Sequence, residues 1–495
     1  MDEPVIDRTP DLARTRAVLL ALGAVLVAMG GYRWGVPAFA WIAPVPFLLV
    51  LRTATTWRFR LVVLAVLTVA SIVLVGKIIT EPVPYVLAIP FALPAAIASW
   101  LVLLLTEHLR RRGGELAGVL ALPALTALGE ALQHSSMPLG TWSSLAVTQV
   151  DNVALLQLAA LFGVAGIGFV MSLVASVVAM LLATPASRAR ARIAAAAAAV
   201  VGLALSWGAV RSYGRQGPRT VVAAAVTTDL GLGAGGLPDD AALAANTDAL
   251  LARSELAAAR GAVLIAWNEG ATFVRPEQEP ALISRGQALA RARGVELVLA
   301  YAVVLSTAPL DLDNKYVWLG ADGEVVETYQ KHHPVPGEPS RRGRAPLVAH
   351  DHPWGRAAGA ICYDYDFPSM VRAHAQLGAG LVVVPSSDWR GIDPYHTQIT
   401  RIRAIEGGLS VLRPTRWATS AGYDAFGRTR ASMPADEDHG GVMLVTLPTT
   451  PVWTLYAAAG DVPMVVGCGV LLLGLVWTAR SRRGSPKPAP VATAT

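Results

Sequence analysis

Gly359-Ala360-Ile361-Cys362-Tyr363-Asp364-Tyr365-Asp366-Phe367-Pro368 reads as a strand that turns directly into a helix. Arg356 to Ile361 form the expected strand, and Pro368 suits the first turn of a helix. Such an elbow exposes one side chain at the carboxyl end of a sheet, where α/β active sites form. That side chain is Cys362. Taken alone, a cysteine in this place is equally well explained as a small buried hydrophobe. Two other residues hold equivalent places: Glu269 follows the apolar run Val263–Trp267, and Lys331 follows Val325–Tyr329. A desolvated carboxylate is a stronger base, and an ammonium can hold the oxyanion of a tetrahedral intermediate. Singly, each reads as a solvated loop charge. Together, Glu, Lys and Cys on three strand ends read as a nucleophile with its base and its electrostatic partner.

The elbow lies in a segment, 213–461, in which short β-branched runs alternate with helical stretches. Strands are expected at 219–227, 262–267, 296–304, 314–319, 355–362, 380–385 and 440–446. Helices are expected at 239–260 (Asp239 as cap), 278–293, 367–378 and 394–408. This alternation predicts an α/β domain of roughly 250 residues. The rest of the chain differs in kind. Of 495 residues, 54% are hydrophobic and 15% charged, against about 25% charged in ordinary globular chains. Disorder is excluded by the same figures.

Apolar runs at 17–32, 35–51, 61–80, 84–105, 116–133, 160–184, 193–210 and 462–478 each approach the ~20 residues that cross a bilayer. Arginines gather before the first run (Arg8, Arg14, Arg16) and in alternate connections: Arg52, Arg58 and Arg60; Arg110 to Arg112; Arg188, Arg190 and Arg192. Arg480, Arg482, Arg483 and Lys487 follow the last run. This bias predicts eight transmembrane helices, both termini in the cytoplasm and 213–461 outside it. The expected parts are a membrane part, 1–212; a catalytic domain, 213–461; a last span, 462–480; and a disordered tail, 481–495. The net charge of +6 thus marks a membrane face, with no nucleic-acid footprint. Cys468 falls in the last span, leaving Cys362 the lone exported thiol, so the chain is no disulfide scaffold.

The text around the three strand ends, WNEGATF (267–273), YQKHHPVPGEP (329–339) and GAICYDYDFP (359–368), resembles the nitrilase superfamily. That resemblance implies an α-β-β-α sandwich with Glu269, Lys331 and Cys362 as a catalytic triad. GAGLVVVPSSDW (378–389) and the stretch 396–428 are similar to its later elements. WGVPAFAWIAPVPFLLVLR (34–52), QLAALFGVAGIGFVMSLV (157–174) and TLYAAAGD (454–461) resemble the membrane-bound branch, the apolipoprotein N-acyltransferases. What this implies is ping-pong acyl transfer in the cell membrane. A phospholipid is the donor, and the α-amine of a diacylglyceryl-cysteine lipoprotein is the acceptor; no cofactor and no metal take part. Glu338 would orient Lys331 or the acyl group. Tyr363 and Asp364 would support the site, with backbone N–H groups at Cys362 and Tyr363 holding the oxyanion.

The chain departs from the family pattern in its lids. Stretch 227–240 lacks the usual aromatic, 331–339 lacks a Phe and a Tyr, and Asp364 and Asn268 replace a Glu and a Pro. A membrane-anchored thiol amidohydrolase, an acyltransferase with another amine acceptor, and a catalytically idle scaffold remain as alternatives. Gly231 to Gly236 satisfies G-x-G-x-x-G, but Pro238 follows directly and no acidic residue ends the next strand, so it reads as a glycine lid. His332, His333, His350 and His352 match no tetrahedral spacing. Arg401, Arg403 and Glu406, like Arg413 and Arg416, read as ion pairs or as substrate contacts.

Overall fold

The computed structural model describes residues 12–54, 56–232, 236–435 and 441–484. Arg8, Lys487, most of the expected tail and the middle of the glycine stretch 231–236 lie outside them. Among the described residues, six helices are long and apolar enough to cross a membrane: Trp57–Gly76, Tyr85–Gly113, Glu115–Ser136, Ala159–Ala183, Arg188–Ser212 and Val462–Ser481. Two shorter apolar segments precede them. Leu12–Ala28 is helical over 17 residues. The stretch 37–53 is divided at Ala43 into Pro37–Ile42 and Pro44–Thr53, because Pro44 and Pro46 bring no N–H to the helical ladder. All eight apolar runs are helical, in the expected order. Leu61, Val69, Leu105, Leu203 and Leu473 keep their side chains on the outside of the bundle.

Arginines near the start of the first helix and beside two of the connections meet at one end. Arg16 donates to Thr53, Arg52 pairs with Glu115 at 2.8 Å, Arg110 pairs with Glu107 and Glu115, and Arg111 donates to Leu51 O.

The remaining segment folds into two sheets. In the first, β1 (Thr220–Val226), β2 (Leu264–Trp267) and β4 (Glu296–Thr307) run parallel. β5 (Leu310–Leu319) and β6 (Val325–Gln330) extend it antiparallel on one side, β15 (Val442–Pro448) closes the other, and β3 (Phe273–Val274) pairs with β4. The second sheet has the order β14 (Thr429–Met433), β13 (Ser420–Tyr423), β11 (Ser410–Arg413), β9 (Leu381–Val383), β8 (Gly355–Gly359), β7 (His350–His352). Beside it lies the short pair β10 (Ser386–Ser387) and β12 (Thr415–Arg416).

Alternation along the strands sends Ala223, Ala225, Leu264 and Val298 of the first sheet against Ala357, Leu381, Val383 and Leu412 of the second. The opposite faces, with Ile265, Trp267 and Leu299 on one sheet and Val382, Val384 and Val411 on the other, carry the helices. The result is α-β-β-α. All four expected helices form, at Asp240–Ala259, Glu279–Arg293, Pro368–Gln376 and Tyr395–Gly407, and Asp239 caps the first through Ala242 N. β11, β13 and β14 were not among the expected strands; they are short and rich in Ser, Gly and Arg.

Two family-like stretches meet where the parts join. Helix 159–183 breaks at Gly163 (φ 61°), and a Cβ there would lie 2.4 Å from the ring of Tyr456. Only glycine lets the buried tyrosine sit against that break.

Candidate active site

Three strand ends converge. Cys362 follows β8 after two residues, in a backbone conformation (φ +49°) that L side chains adopt at a cost. Asp364 holds the elbow in place. Its carboxylate accepts from Ile361 N at 3.0 Å, Tyr329 OH at 2.8 Å and His333 N at 2.6 Å. Burial works to raise this carboxyl, but His333 and the other donors win and hold it below the usual range. Asp364 therefore fastens the loop 331–339 to the elbow without facing the thiol.

Lys331, 1% exposed, ends β6 and lies between two carboxylates. Its Nζ is 2.8 Å from Glu269 Oε1 and 2.7 Å from Glu338 Oε2. Asn314 Nδ2 bridges the same pair, at 2.7 Å from Glu269 and 3.1 Å from Glu338, and Val335 N also donates to Glu338. Burial pulls the ammonium's pKa down, yet the two carboxylates outweigh it and hold the group charged well above the ordinary lysine range. Glu338 is held low by Lys331 against the effect of its own burial.

Cys362 is 3% exposed. Burial first, then Glu269 and Asp388, push the thiol up, and Lys331 and Arg413 only partly offset them. The resting thiol is thus neutral, and to act as a nucleophile it would need a base. Its Sγ contacts are Ser387 O at 3.7 Å and Asp388 Oδ1 at 3.9 Å. One expectation needs correcting. Cys362 N donates to Pro385 O at 2.9 Å, because the elbow continues the sheet toward β10, so this N–H is not open to an oxyanion.

From the thiol a pocket runs into the helical part. Val75, Ile78, Ile79 and Phe91 line it there, Leu139 and Trp142 line it from the connection 137–152, and Val335, Pro336 and Ile392 line it from the sandwich. Three of the non-glycine residues with positive φ, Tyr32, Ser143 and Cys362, lie on this pocket. Strain of that kind concentrates at functional sites.

Residues 23–177 match the family described as apolipoprotein N-acyltransferase N-terminal domain, and residues 231–450 match carbon-nitrogen hydrolase. The apolipoprotein N-acyltransferase of Bradyrhizobium diazoefficiens is 30% identical over 408 residues, 72% of each chain. This chain belongs to the apolipoprotein N-acyltransferase family. A second member, from Geobacter metallireducens, is 26% identical over 86% of this chain and 89% of its own. Among solved structures, Saccharomyces cerevisiae Nit3 of the nitrilase superfamily matches at 18% identity and a TM-score of 0.40, over 50% of this chain and 95% of that one.

The described stretch 227–232 carries no aromatic residue, and a ring reaches it from the bend after β12. Trp417 (φ +61°) donates to Asp229 O at 3.1 Å. Arg416 lies over that ring while donating to Leu230 O and to Ser387 Oγ. Arg403 pairs with Glu406 at 2.6 Å, wholly buried, which is structural. Arg413 pairs with Asp388 at 3.1 Å.

Asn314, Asp388, His396 and Trp142 were missed in the sequence. Asp388 obeys the rule that pointed to Glu269 and Lys331, a charge just past an apolar strand. The others carry no comparable signal. Thiol, carboxylate and imidazole of Cys362, Asp388 and His396 lie within 4.8 Å of one another. Both ring nitrogens of His396 are committed to carboxylates, so no imidazole lone pair is turned toward a cation.

Proposed function

We propose that the chain transfers a fatty acyl group from a membrane phospholipid, through a thioester on Cys362, to the α-amine of a diacylglyceryl-cysteine lipoprotein. The observation that carries this reading is the apolar pocket joining the Cys362 thiol to Val75, Ile79 and Phe91 of the helical part. An acyl chain fits its lining, and the polar groups stand at one end.

Glu269 accepts the thiol proton as sulfur attacks the ester carbonyl. The oxyanion develops against the Lys331 ammonium and the Tyr363 N–H. The C–O bond breaks, Glu269 returns the proton to the leaving lysophospholipid oxygen, and the acyl-thioester remains. The neutral amine then attacks the thioester and Glu269 takes its proton. The C–S bond breaks, and that proton goes to the sulfur. Glu338 keeps Lys331 aimed, and Tyr363, whose OH donates to Pro138 O at 2.7 Å, ties the nucleophile's neighbour to the helical part.

The same reading assigns eight spans, with 1–212 and 462–480 in the membrane, 213–461 outside and both termini in the cytoplasm. The arginine cluster at one end of the bundle supports that orientation.

Purified full-length chain, given phospholipid and a lipopeptide with a free diacylglyceryl-cysteine amine, should yield the N-acylated lipopeptide, and an amine-blocked lipopeptide should stay unchanged. Release of free fatty acid alone would favour the hydrolase, and no turnover with intact cellular function would favour the scaffold. Ile79→Trp, which fills the pocket's inner wall, should favour donors with shorter chains. Losing room for two methylenes costs about 1.6 kcal/mol, roughly 15-fold in kcat/KM, read as a ratio between long- and short-chain donors.

A further inference from the structure

A second buried network, which shares no residue with Lys331 and its carboxylates, reaches the thiol, and nothing in the mechanism above uses it. Asp388 Oδ1, 3.9 Å from Cys362 Sγ, also lies 2.7 Å from His396 Nδ1 and 3.1 Å from Arg413. His396 Nε2 is 3.0 Å from Asp366 Oδ1, and Asp366 Oδ2 accepts from Trp142 Nε1 at 2.7 Å. The last link belongs to the connection between two apolar helices. Its Thr141 N donates to Asp366 O at 3.1 Å, and a Cβ on Gly140 (φ +52°) would lie 2.6 Å from that same oxygen. Asp366, Asp388, His396 and Arg413 are all buried.

We propose that Asp388 is a positioning residue for the Cys362 thiol, and that the chain Asp388–His396–Asp366–Trp142 makes its placement depend on the membrane-part connection. The inference rests on Cys362 being the acyl-accepting nucleophile. Its physical basis is charge and geometry. The Sγ atom has only two weak acceptors to fix its rotamer, Ser387 O and Asp388 Oδ1, and Asp388 is itself pinned by two cations.

The ionisable groups facing His396 are Asp388, Asp366, Arg413 and the Cys362 thiol, which is neutral, with the Trp142 ring 5.6 Å away. Two carboxylates and two cations make the network neutral only while His396 is protonated. Burial and Arg413 pull the imidazole down, but the two carboxylates lift it to about 9. Asp388 is driven the other way, to about 2, because Arg413 and His396 overcome its burial. The imidazolium is therefore intact at neutral pH and is lost as pH rises through about 9. Two buried carboxylates then share one arginine.

The test uses the full chain in detergent and two readouts. One is acyl-enzyme formation from phospholipid alone; the other is alkylation of Cys362 by iodoacetamide in a Cys468→Ala background, which needs no lipid. Acyl-enzyme formation should fall as pH rises through about 9, and Asp366→Asn should move that fall at least one pH unit lower. Asp388→Asn should slow acylation at least tenfold and yet speed alkylation at least threefold at pH 7.5, because a negative neighbour of the thiol is gone. Loosened packing would also speed alkylation of the buried thiol, but it would favour a bulky maleimide over iodoacetamide, whereas loss of the charge alone raises both rates by a like factor and leaves their ratio unchanged. If Asp388→Asn does not fold, Asp388→Glu keeps the charge and shifts its place, and should slow acylation at unchanged alkylation. The proposal is overturned by an alkaline limb that stays put in Asp366→Asn, or by unaltered rates in the Asp388 variants. If phospholipid never acylates the wild-type chain, the proposed function fails, and the alkylation rates of Asp388→Asn still decide the role of Asp388.

Discussion

Cys362→Gly is expected to abolish acyl transfer and, at the same time, to be more stable than Cys362→Ala by about 1 kcal/mol. The loss of activity follows from the chemistry: without sulfur there is no thioester, and removal of a covalent nucleophile costs on the order of 10⁴-fold or more. The stability difference follows from the elbow. Position 362 sits at φ +49°, where glycine is unstrained and alanine is not. Thermal unfolding of the two inactive proteins in the same detergent should differ by roughly 2 °C, glycine higher. A glycine variant that melts below the alanine variant would mean the elbow is not under backbone strain.

Lys331→Met is the second large effect. It leaves Glu269 and Glu338 buried with Asn314 between them and no cation. Breaking a buried ion pair in this way costs about 3–5 kcal/mol, and acyl transfer should drop by about 10²–10³-fold with the oxyanion's charged partner gone. The pH dependence of stability should reverse sign. In the wild type Glu338 is held below its ordinary value of 4.5. Its contribution is therefore present above that value and lost as acid protonates it. In Lys331→Met the carboxyls are buried without a counter-charge and take up a proton. The variant should be most stable in acid and lose ground as pH rises toward neutrality. Melting temperature followed from pH 5 to 8 tests this, and a profile parallel to the wild type would contradict it.

The two variants bear on the residues that were easiest to read. Glu269 and Lys331 stand two residues past Trp267 and Tyr329, and Cys362 directly follows Ile361; a run of strand-forming residues that leads to a charge or a thiol is visible without a fold. The eight apolar runs and four amphipathic helices were legible for the same reason, each long enough for its period to repeat. The break at Ala43 was signalled by Pro44, but run length concealed it. β13 and β14, Ser-Ala-Gly-Tyr and Thr-Arg-Ala-Ser-Met, hold a single β-branched residue between them, Thr429; register with their neighbours makes them strands. The pocket could not be read at all. It brings Val75 and Trp142 to Cys362 across more than 200 residues of sequence, and such proximity leaves no periodic trace. The pinning of Cys362 N by Pro385 O escaped for a like reason, because it depends on how the elbow lies against β10.

The most direct measurement is the intact mass of the full-length protein after incubation with a phospholipid of one defined acyl chain. The account predicts a single added acyl group, located on Cys362, absent from Cys362→Ala, and discharged by a lipopeptide amine faster than by water. A protein that never gains that mass, or that gains it equally in Cys362→Ala, would contradict it.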